Sequence, residues 1–186
     1  PVLPRISNHT DFDALRMHAD VDLQFISITQ QQIEADLIIL PGSKNVLGDL
    51  NALKAAGWEK TLQRHVRYGG KVIGICGGYQ MLGRRIEDPH GIDGAAAGAD
   101  GLGLLDIDIA MAPDKTVRPV RAVCARTGDG IDGYEIHSGR ATGPGLSRPF
   151  AQIVGEGPEG AVSPDGRIEG VHLHGLFAAD GFRAAK

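Results

Sequence analysis

The chain has 186 residues, 42% of them apolar and 23% charged, which suits one well-buried globular domain. Its net charge of −4 comes without a basic cluster interleaved with aromatic residues, which argues against nucleic-acid binding. The sequence has no long apolar run and no signal-peptide pattern, and its two cysteines lie far apart. We therefore expect a cytoplasmic protein that does not enter a membrane and has no disulfide framework.

The first predicted elements alternate between strands and helices. Residues 2–6 and 23–28 are short apolar runs that predict strands, and a helix is expected over 10–19 with Thr10 or Asp11 as its N-cap. Residues 37–40, Leu-Ile-Ile-Leu, precede a Pro-Gly pair. Such a continuous apolar run is typical of a buried strand in a parallel sheet.

The next segment repeats this order. Residues 46–68 have helical apolar spacing that is interrupted near Gly57, and the glycine pair at 69–70 ends the helix. A third buried strand is predicted over 72–75 and a helix over 77–85. Strands and helices in this order predict a parallel sheet with helices on both faces.

The second half of the chain differs from the first in composition and in its predicted secondary structure. A loop rich in Gly, Ala and Asp is expected over 91–103, followed by strands over 104–111, 117–125, 131–137 and 151–154. We therefore predict a single α/β domain over 1–186. It should be a three-layer sandwich with a mostly parallel, flavodoxin-like central sheet and a strand-rich second half.

The segment Gly74-Ile75-Cys76-Gly77-Gly78 carries the strongest chemical signal. A buried strand ends at the cysteine, a helix follows, and glycines lie two residues to either side, which is the layout of a nucleophile elbow. A helix N-terminus facing the sulfur favours the thiolate, and the N–H of Gly77 can donate to an oxyanion. The alternative is a buried structural cysteine, which we consider the better interpretation for Cys124.

A cysteine nucleophile needs a base, and the chain has seven histidines. His172 and His174 lie in a short apolar strand that ends in His174-Gly175. The position at the end of the strand favours His174 as the base, with His172 one step back. Without Cys76, two structural histidines would be the simpler interpretation.

These motifs resemble those of class I glutamine amidotransferases, in the branch typified by cobyric acid synthase. The similarity extends over four motifs in order, at Leu40–Asn45, Gly74–Gln80, Gly133–His137 and His172–Phe177. The segment Leu3–Asn8, with Thr10–Asp13 after it, is similar to the start of the amidotransferase part of that branch. The similarity runs from residue 3 to about residue 183.

The resemblance implies a role for each matching residue. Cys76 is expected to be the nucleophile and His174 its base, with oxyanion N–H groups from Gly77 and from the loop at Gly42 and Ser43. Three further residues are expected to bind the substrate glutamine: Gln80, Glu135 and His137. For His137, a structural strand position is an equally good interpretation.

The sequence departs from the wider class at one position. Many class I enzymes carry Pro and then Glu after the catalytic histidine, whereas this chain has Gly175 and Leu176. The orienting group could instead be a backbone carbonyl or another residue, and we expect slow hydrolysis unless a partner domain improves the alignment.

The resemblance also implies partners. The domain should hydrolyse L-glutamine and pass ammonia to a synthetase domain that amidates corrinoid carboxylates. We expect no cofactor or metal in this domain. Because the sequence lacks a phosphate-binding Walker motif, ATP and Mg²⁺ are expected on the synthetase domain. The chain is expected to be a fragment of a longer protein. The alternatives are a glutaminase serving another acceptor such as a cell-wall glutamate, a non-catalytic interaction module and a cysteine peptidase.

Overall fold

The structure is a computed structural model that describes residues 1–30, 33–94 and 96–178. These ranges contain four α-helices: α1 Asp13–Arg16, α2 Val46–Ala55, α3 Trp58–Arg67 and α4 Gly77–Leu82. The strands are β1 Leu37–Leu40, β2 Lys71–Ile75, β3 Arg85–Asp88, β4 Ala97–Asp100, β5 Asp108–Cys124, β6 Gly130–Thr142, β7 Ala151–Ile153, β8 Gly157–Glu159, β9 Ala161–Val162, β10 Ile168–Val171 and β11 Leu173–His174. Short 3₁₀ helices occur at His9–Phe12, Pro144–Ser147 and Leu176–Ala178.

The first sheet has the strand order β1-β2-β10-β9. Strands β1 and β10 both pair with β2 in parallel, and β9 joins β10 antiparallel. Two of the three parallel strands come from the apolar runs at 37–40 and 72–75, so the predicted parallel core is confirmed. Because parallel strands end at the same edge, Leu40, Ile75 and Val171 deliver the chain to one side of the molecule.

The second sheet has the order β11-β6-β5-β3-β4, with β7 on β5 and β8 on β7. It is mostly antiparallel, with β3 and β5 as its parallel pair. The predicted strand-rich second half is confirmed. The expected break between 111 and 117 was wrong: β5 is continuous, with an irregular register between Met111 and Thr116. A β-bulge of this kind accommodates the extra residues between these two positions, so the strand continues past them.

Two other boundaries in this region also differ from prediction. The expected loop over 91–103 contains β4, whose small exposed residues are held in a strand by pairing with β3. The helix predicted over 77–85 ends at Leu82, because Gly83 adopts an extended conformation (φ −63°, ψ 175°) and leads into β3.

The long helix predicted over 46–68 divides as expected. Helix α2 begins after Asn45, whose side chain accepts a hydrogen bond from Gly48 N at 2.6 Å. It ends at Ala55, and Gly57 turns the chain with φ 82° before α3 begins. Trp58 is fully buried and donates its indole N–H to Ile28 O at 2.6 Å, which fixes α3 against the N-terminal segment.

The N-terminal predictions were mostly wrong. Residues 2–6 and 23–28 form no strand, only isolated bridges between Val2 and Ser27 and between Ile6 and Ser43. The helix predicted over 10–19 is replaced by the 3₁₀ helix and by α1, which ends at Arg16. Neither Thr10 nor Asp11 is an N-cap, because Asn8 occupies that position in a left-handed conformation.

The apolar side chains form two buried clusters. One contains Leu50, Trp58 and Tyr79 on the side of α2, α3 and α4. The other contains Cys76, Cys124 and Phe177. Cys124 is 2% exposed, so its prediction as a core residue is confirmed. Among the described residues, the helices are too short or too polar to span a bilayer.

Candidate functional site

Cys76 stands at a sharp turn between β2 and α4. Its backbone has φ 51° and ψ −110°, and among the described residues only Asn8 is another non-glycine residue with positive φ. Such a conformation costs about 1–3 kcal/mol and persists where the surrounding structure imposes it. The sharp strand-to-helix turn predicted at Cys76 is therefore present in the backbone.

The flanking glycines are imposed by close packing. A Cβ on Gly74 would lie 2.7 Å from the carbonyl group of Gly78, and a Cβ on Gly78 would collide with the Leu40 carbonyl. A Cβ on Gly77 would lie 2.9 Å from Ser43 N. The elbow therefore packs directly against the loop that follows β1, which accounts for the glycines.

The sulfur of Cys76 faces the second sheet. The residue is 6% exposed, its Sγ donates to Ile136 O at 3.2 Å, and its backbone N–H donates to Val171 O at 2.9 Å. The first contact places the sulfur beside β6, and the second holds the elbow against the end of β10.

His174 approaches the sulfur from β11 of the second sheet. It pairs with Tyr134 in the β11–β6 ladder, and the two rings stack with centroids 5.1 Å apart. The side chain is fully buried. A Cβ on Gly42 would lie 3.1 Å from His174 Cε1, so the loop after β1 also touches the imidazole. The structure thus brings together Cys76, His174 and the predicted oxyanion loop.

The imidazole of His174 has a carboxylate partner that the sequence reasoning missed. His174 Nδ1 donates to Asp11 Oδ2 at 2.7 Å, and Gly175 N donates to Asp11 Oδ1 at 3.0 Å. Asn8 Nδ2 also lies 3.1 and 3.0 Å from the two ring nitrogens. The sequence offered one signal, a polar run from Asn8 to Asp11 directly after an apolar segment, but we interpreted it as a helix start.

The pKa of His174 reflects these neighbours. Burial lowers the pKa, whereas the hydrogen bond to Asp11 and the interaction with Cys76 raise it, and the result is a pKa of about 9. The ring therefore holds a proton at neutral pH, beside both a carboxylate and a sulfur.

The loop predicted to supply oxyanion N–H groups is held by a buried carboxylate. Ser43 Oγ donates to Asp49 Oδ2 at 2.6 Å, and Asn45 N donates to Ser43 Oγ at 3.0 Å. Asp49 is fully buried and also accepts from Arg5 N at 3.2 Å. These bonds fix the backbone of Gly42 and Ser43 beside the elbow, so their N–H groups are preorganised.

Gln80 lies in a buried polar network behind the elbow. It is 2% exposed, and its Nε2 lies 3.3 Å from His172 Nε2. His172 Nδ1 donates to Glu159 Oε1 at 2.9 Å, so the other ring nitrogen can accept from Gln80. Burial lowers the pKa of His172, despite Glu159, and the ring is neutral. His172 lies between β10 and β11, where the chain passes from one sheet to the other.

Glu135 and His137 lie on β6, on either side of Ile136. Glu135 is 3% exposed and pairs with Arg118 Nη2 at 2.7 Å, while His137 Nε2 lies 3.7 Å away. Burial raises the pKa of Glu135, but the interactions with His137 and Arg118 outweigh burial. The pKa is lowered overall, so the carboxylate is charged. His137 stacks on His172 with centroids 3.9 Å apart. The predicted substrate-binding residues thus form one cluster next to Cys76.

Metal binding finds no support in this part of the molecule. Across residues 1–30, 33–94 and 96–178, no three His, Cys, Asp or Glu side chains are grouped so that they could hold a metal ion.

Known structures share this fold. PurLQS from Thermotoga maritima superposes with a TM-score of 0.70 at 16% identity, covering 98% of this chain and 91% of that chain. A structure described as a glutamine amidotransferase gives a TM-score of 0.70 at 16% identity, covering 97% and 92%. At these identities the similarity establishes the fold, and it confirms the predicted α/β class.

Sequence comparison is more specific. The chain is 52% identical over 186 residues to cobyric acid synthase from Hyphomonas neptunium (strain ATCC 15444), covering all of this chain and 37% of that protein. It thus spans little more than a third of the length of this relative. The model of the CobB/CobQ-like glutamine amidotransferase domain matches residues 1–182. This chain therefore belongs to the family of CobB/CobQ-like glutamine amidotransferase domains.

Proposed function

We propose that the chain hydrolyses the side-chain amide of glutamine through a thioester on Cys76, with His174 as the proton carrier. The observation that carries the proposal is the placement of Cys76: a strained elbow presents its sulfur to a buried imidazole from the other sheet. Strain of this kind is kept where function requires it, and a merely structural cysteine needs neither the strain nor the imidazole.

The first half-reaction forms the thioester. In the reactive state the Cys76 proton resides on His174, so that a thiolate faces an imidazolium, and the thiolate attacks the carboxamide carbon of glutamine. The N–H groups of Gly77 and of the loop at Gly42 and Ser43 donate to the resulting oxyanion, each contributing a few kcal/mol. The proton on His174 then passes to the nitrogen of the leaving group, the C–N bond breaks, and ammonia departs.

The second half-reaction releases glutamate. His174 removes a proton from water, the hydroxide attacks the thioester carbonyl, and the same N–H groups bind the second oxyanion. The C–S bond breaks, the sulfur leaves as a thiolate, and His174 keeps the proton taken from water, so the starting thiolate–imidazolium pair is restored and glutamate leaves after its new carboxyl group gives its proton to solvent. Gln80, Glu135 and His137 bind the substrate in this scheme, with the charged Glu135 beside its ammonium group.

We assign the ammonia to a synthetase domain that uses ATP and Mg²⁺ to amidate corrinoid carboxylates in cobalamin biosynthesis. The identity to cobyric acid synthase supports this acceptor, as does the extra length of that relative. A direct test supplies glutamine labelled with ¹⁵N in its side-chain amide to the synthetase-containing protein. The label should appear in corrinoid amides, and its absence from them would point to another acceptor.

The glutaminase step is tested by trapping. A diazo-ketone analogue of glutamine should alkylate Cys76, and mass spectrometry should locate the adduct there. The adduct should disappear in Cys76→Ser and remain in the matched variant Cys124→Ser, whose sulfur is buried in the core. An adduct on Cys124, or an unmodified Cys76, would overturn the proposal.

A further inference from the structure

We infer that Asp11 is the positioning residue of this site, the carboxylate that orients His174 and completes a Cys76–His174–Asp11 triad. The inference rests on the proposed glutaminase function and adds to it the group that occupies the role of the missing Glu. In the wider class, that Glu follows the histidine by two positions, where this chain has Leu176. Leu176 is fully buried in the apolar core and cannot serve.

The contact has the geometry of a strong, charge-assisted hydrogen bond. The distance of 2.7 Å between His174 Nδ1 and Asp11 Oδ2 is short for a nitrogen donor, and the two side chains are 0% and 3% exposed. The second oxygen accepts from Gly175 N at 3.0 Å. Because one carboxylate binds both the ring and the next backbone N–H, it fixes the ring relative to its own strand.

This bond also selects the tautomer that catalysis needs. A carboxylate can only accept, so Nδ1 must carry a proton, and Nε2 is left to exchange a proton with Cys76. Asn8 also lies against the ring, but its amide is neutral and cannot stabilise the imidazolium as the carboxylate of Asp11 does. The charged or titratable groups that face the ring are therefore Asp11 and Cys76, with Tyr134 stacked on its face.

The local chain is built to hold Asp11 in place. Asn8, at φ 53°, turns the chain into the 3₁₀ helix that carries Asp11. The next residues anchor that helix in the core, since Phe12 and Leu15 are 4% and 6% exposed and share a cluster with Phe177. The carboxylate is thus positioned before substrate binds, which is the arrangement that makes a supporting residue effective.

The test replaces Asp11 by the isosteric amide. In Asp11→Asn, the amide oxygen can still accept from Gly175 N, but the NH₂ group faces Nδ1 and stabilises the wrong tautomer. We expect kcat for glutamine hydrolysis to fall by about 10- to 10⁴-fold, with KM changed by less than about threefold. The matched control is Asp13→Asn, an exposed acid two residues away, which should behave like wild type.

A second readout does not depend on turnover. With ¹³C-labelled histidine, NMR titration should give a pKa of about 9 for His174 in the wild type and a lower pKa in Asp11→Asn. The pH profile of Cys76 alkylation by iodoacetamide, followed by mass spectrometry, should move to higher pH in the same variant, because the imidazolium that stabilises the thiolate is lost. A purely structural role would change neither profile.

Three results would overturn the inference: a wild-type kcat in Asp11→Asn, an equal loss of kcat in Asp13→Asn, or a pKa of His174 that does not change in Asp11→Asn.

If Asp11→Asn does not fold, ¹⁵N NMR of the wild-type ring decides, since a neutral ring protonated at Nε2 rather than Nδ1 contradicts the inference. Failure of the proposed function looks different. In that case wild type shows the NMR and alkylation behaviour described here but releases no glutamate.

Discussion

The backbone of Gly78 packs against the carbonyl of Leu40 so closely that even a methyl group on Gly78 would overlap the oxygen. Leu40 ends β1 and Gly78 lies in the first turn of α4, so this contact joins the turn at Cys76 to the end of β1 and to the loop that follows it. This backbone contact, together with the hydrogen bonds that Asp49 accepts, therefore fixes Cys76 relative to Gly42 and Ser43.

Gly78→Ala should consequently destabilise the protein by at least about 1–3 kcal/mol, because the overlapping atoms are backbone and cannot rotate away. Thermal unfolding followed by circular dichroism measures the loss. The matched control is Gly130→Ala on β6, where the added methyl meets no atom within 4 Å and the backbone has ordinary φ. Equal melting temperatures for the two variants would contradict this interpretation of the elbow.

The pH dependence of hydrolysis should follow His174. Its pKa of about 9 means that the imidazolium, the proposed proton donor to the departing nitrogen, persists through neutral pH. We expect kcat to be steady near pH 7–8 and to fall as the pH rises through about 9. Stopped assays of glutamate release across this range measure it, and a rate still rising at about pH 10 would contradict the assignment.

The same group makes stability depend on pH. The pKa of His174 in the folded protein lies above the value of 6.5 for the unfolded chain, so protonation stabilises the folded state. This contribution is complete below about pH 6.5 and is lost as the pH rises through about 9. Urea unfolding at several pH values should show it in wild type and not in His174→Asn.

The two neighbouring histidines should separate chemistry from stability. His174→Asn removes the proposed proton carrier, and we expect it to lower kcat by about 10²- to 10⁴-fold. In His172→Asn, the new amide can still donate to Glu159, but the stacking on His137 is lost. We expect about 1–3 kcal/mol less stability with most of kcat kept. Kinetics and urea unfolding of both variants measure this difference, and equal losses of kcat would mean that the base is misassigned.

Recognition of the amino-acid end of glutamine should depend on Glu135. Glu135→Gln removes the charge expected to face the substrate ammonium, so KM should rise by about 10- to 100-fold while kcat changes little. The control is Glu156→Gln, which alters the other carboxylate bound to Arg118 at a half-exposed position and should leave KM unchanged. A wild-type KM in Glu135→Gln would assign Glu135 a structural role.

Local patterns explain which parts of the fold were predictable. The apolar run at 37–40, the break at Gly57 and the elbow at Cys76 each depend on short-range rules, and the structure shows all three. Residues 2–6 and β4 depend on distant partners instead. Their conformation is decided by Ser27, Ser43 and β3, which periodicity within a short window does not report.

The same distinction applies to the site. The structure places Cys76 and His174 at strand ends, as predicted, because each follows a short apolar run that ends next to glycine. Asp11 was not predictable, since it meets His174 across 163 positions of chain and lies in a helix of ordinary composition. A missing Glu at position 176 indicates that another group is needed, but only the arrangement in space identifies it.

At His172 the chain passes from the first sheet to the second, and this affects how the protein can lose its function. Cys76, the proposed nucleophile, follows β2 of the first sheet and His174, the proposed proton carrier, lies on β11 of the second, so a slight shift of one sheet against the other would separate them while every strand stays paired. A displacement of about 1 Å can reduce a rate about 100-fold. Low concentrations of urea should thus inactivate the protein well before its circular dichroism spectrum changes.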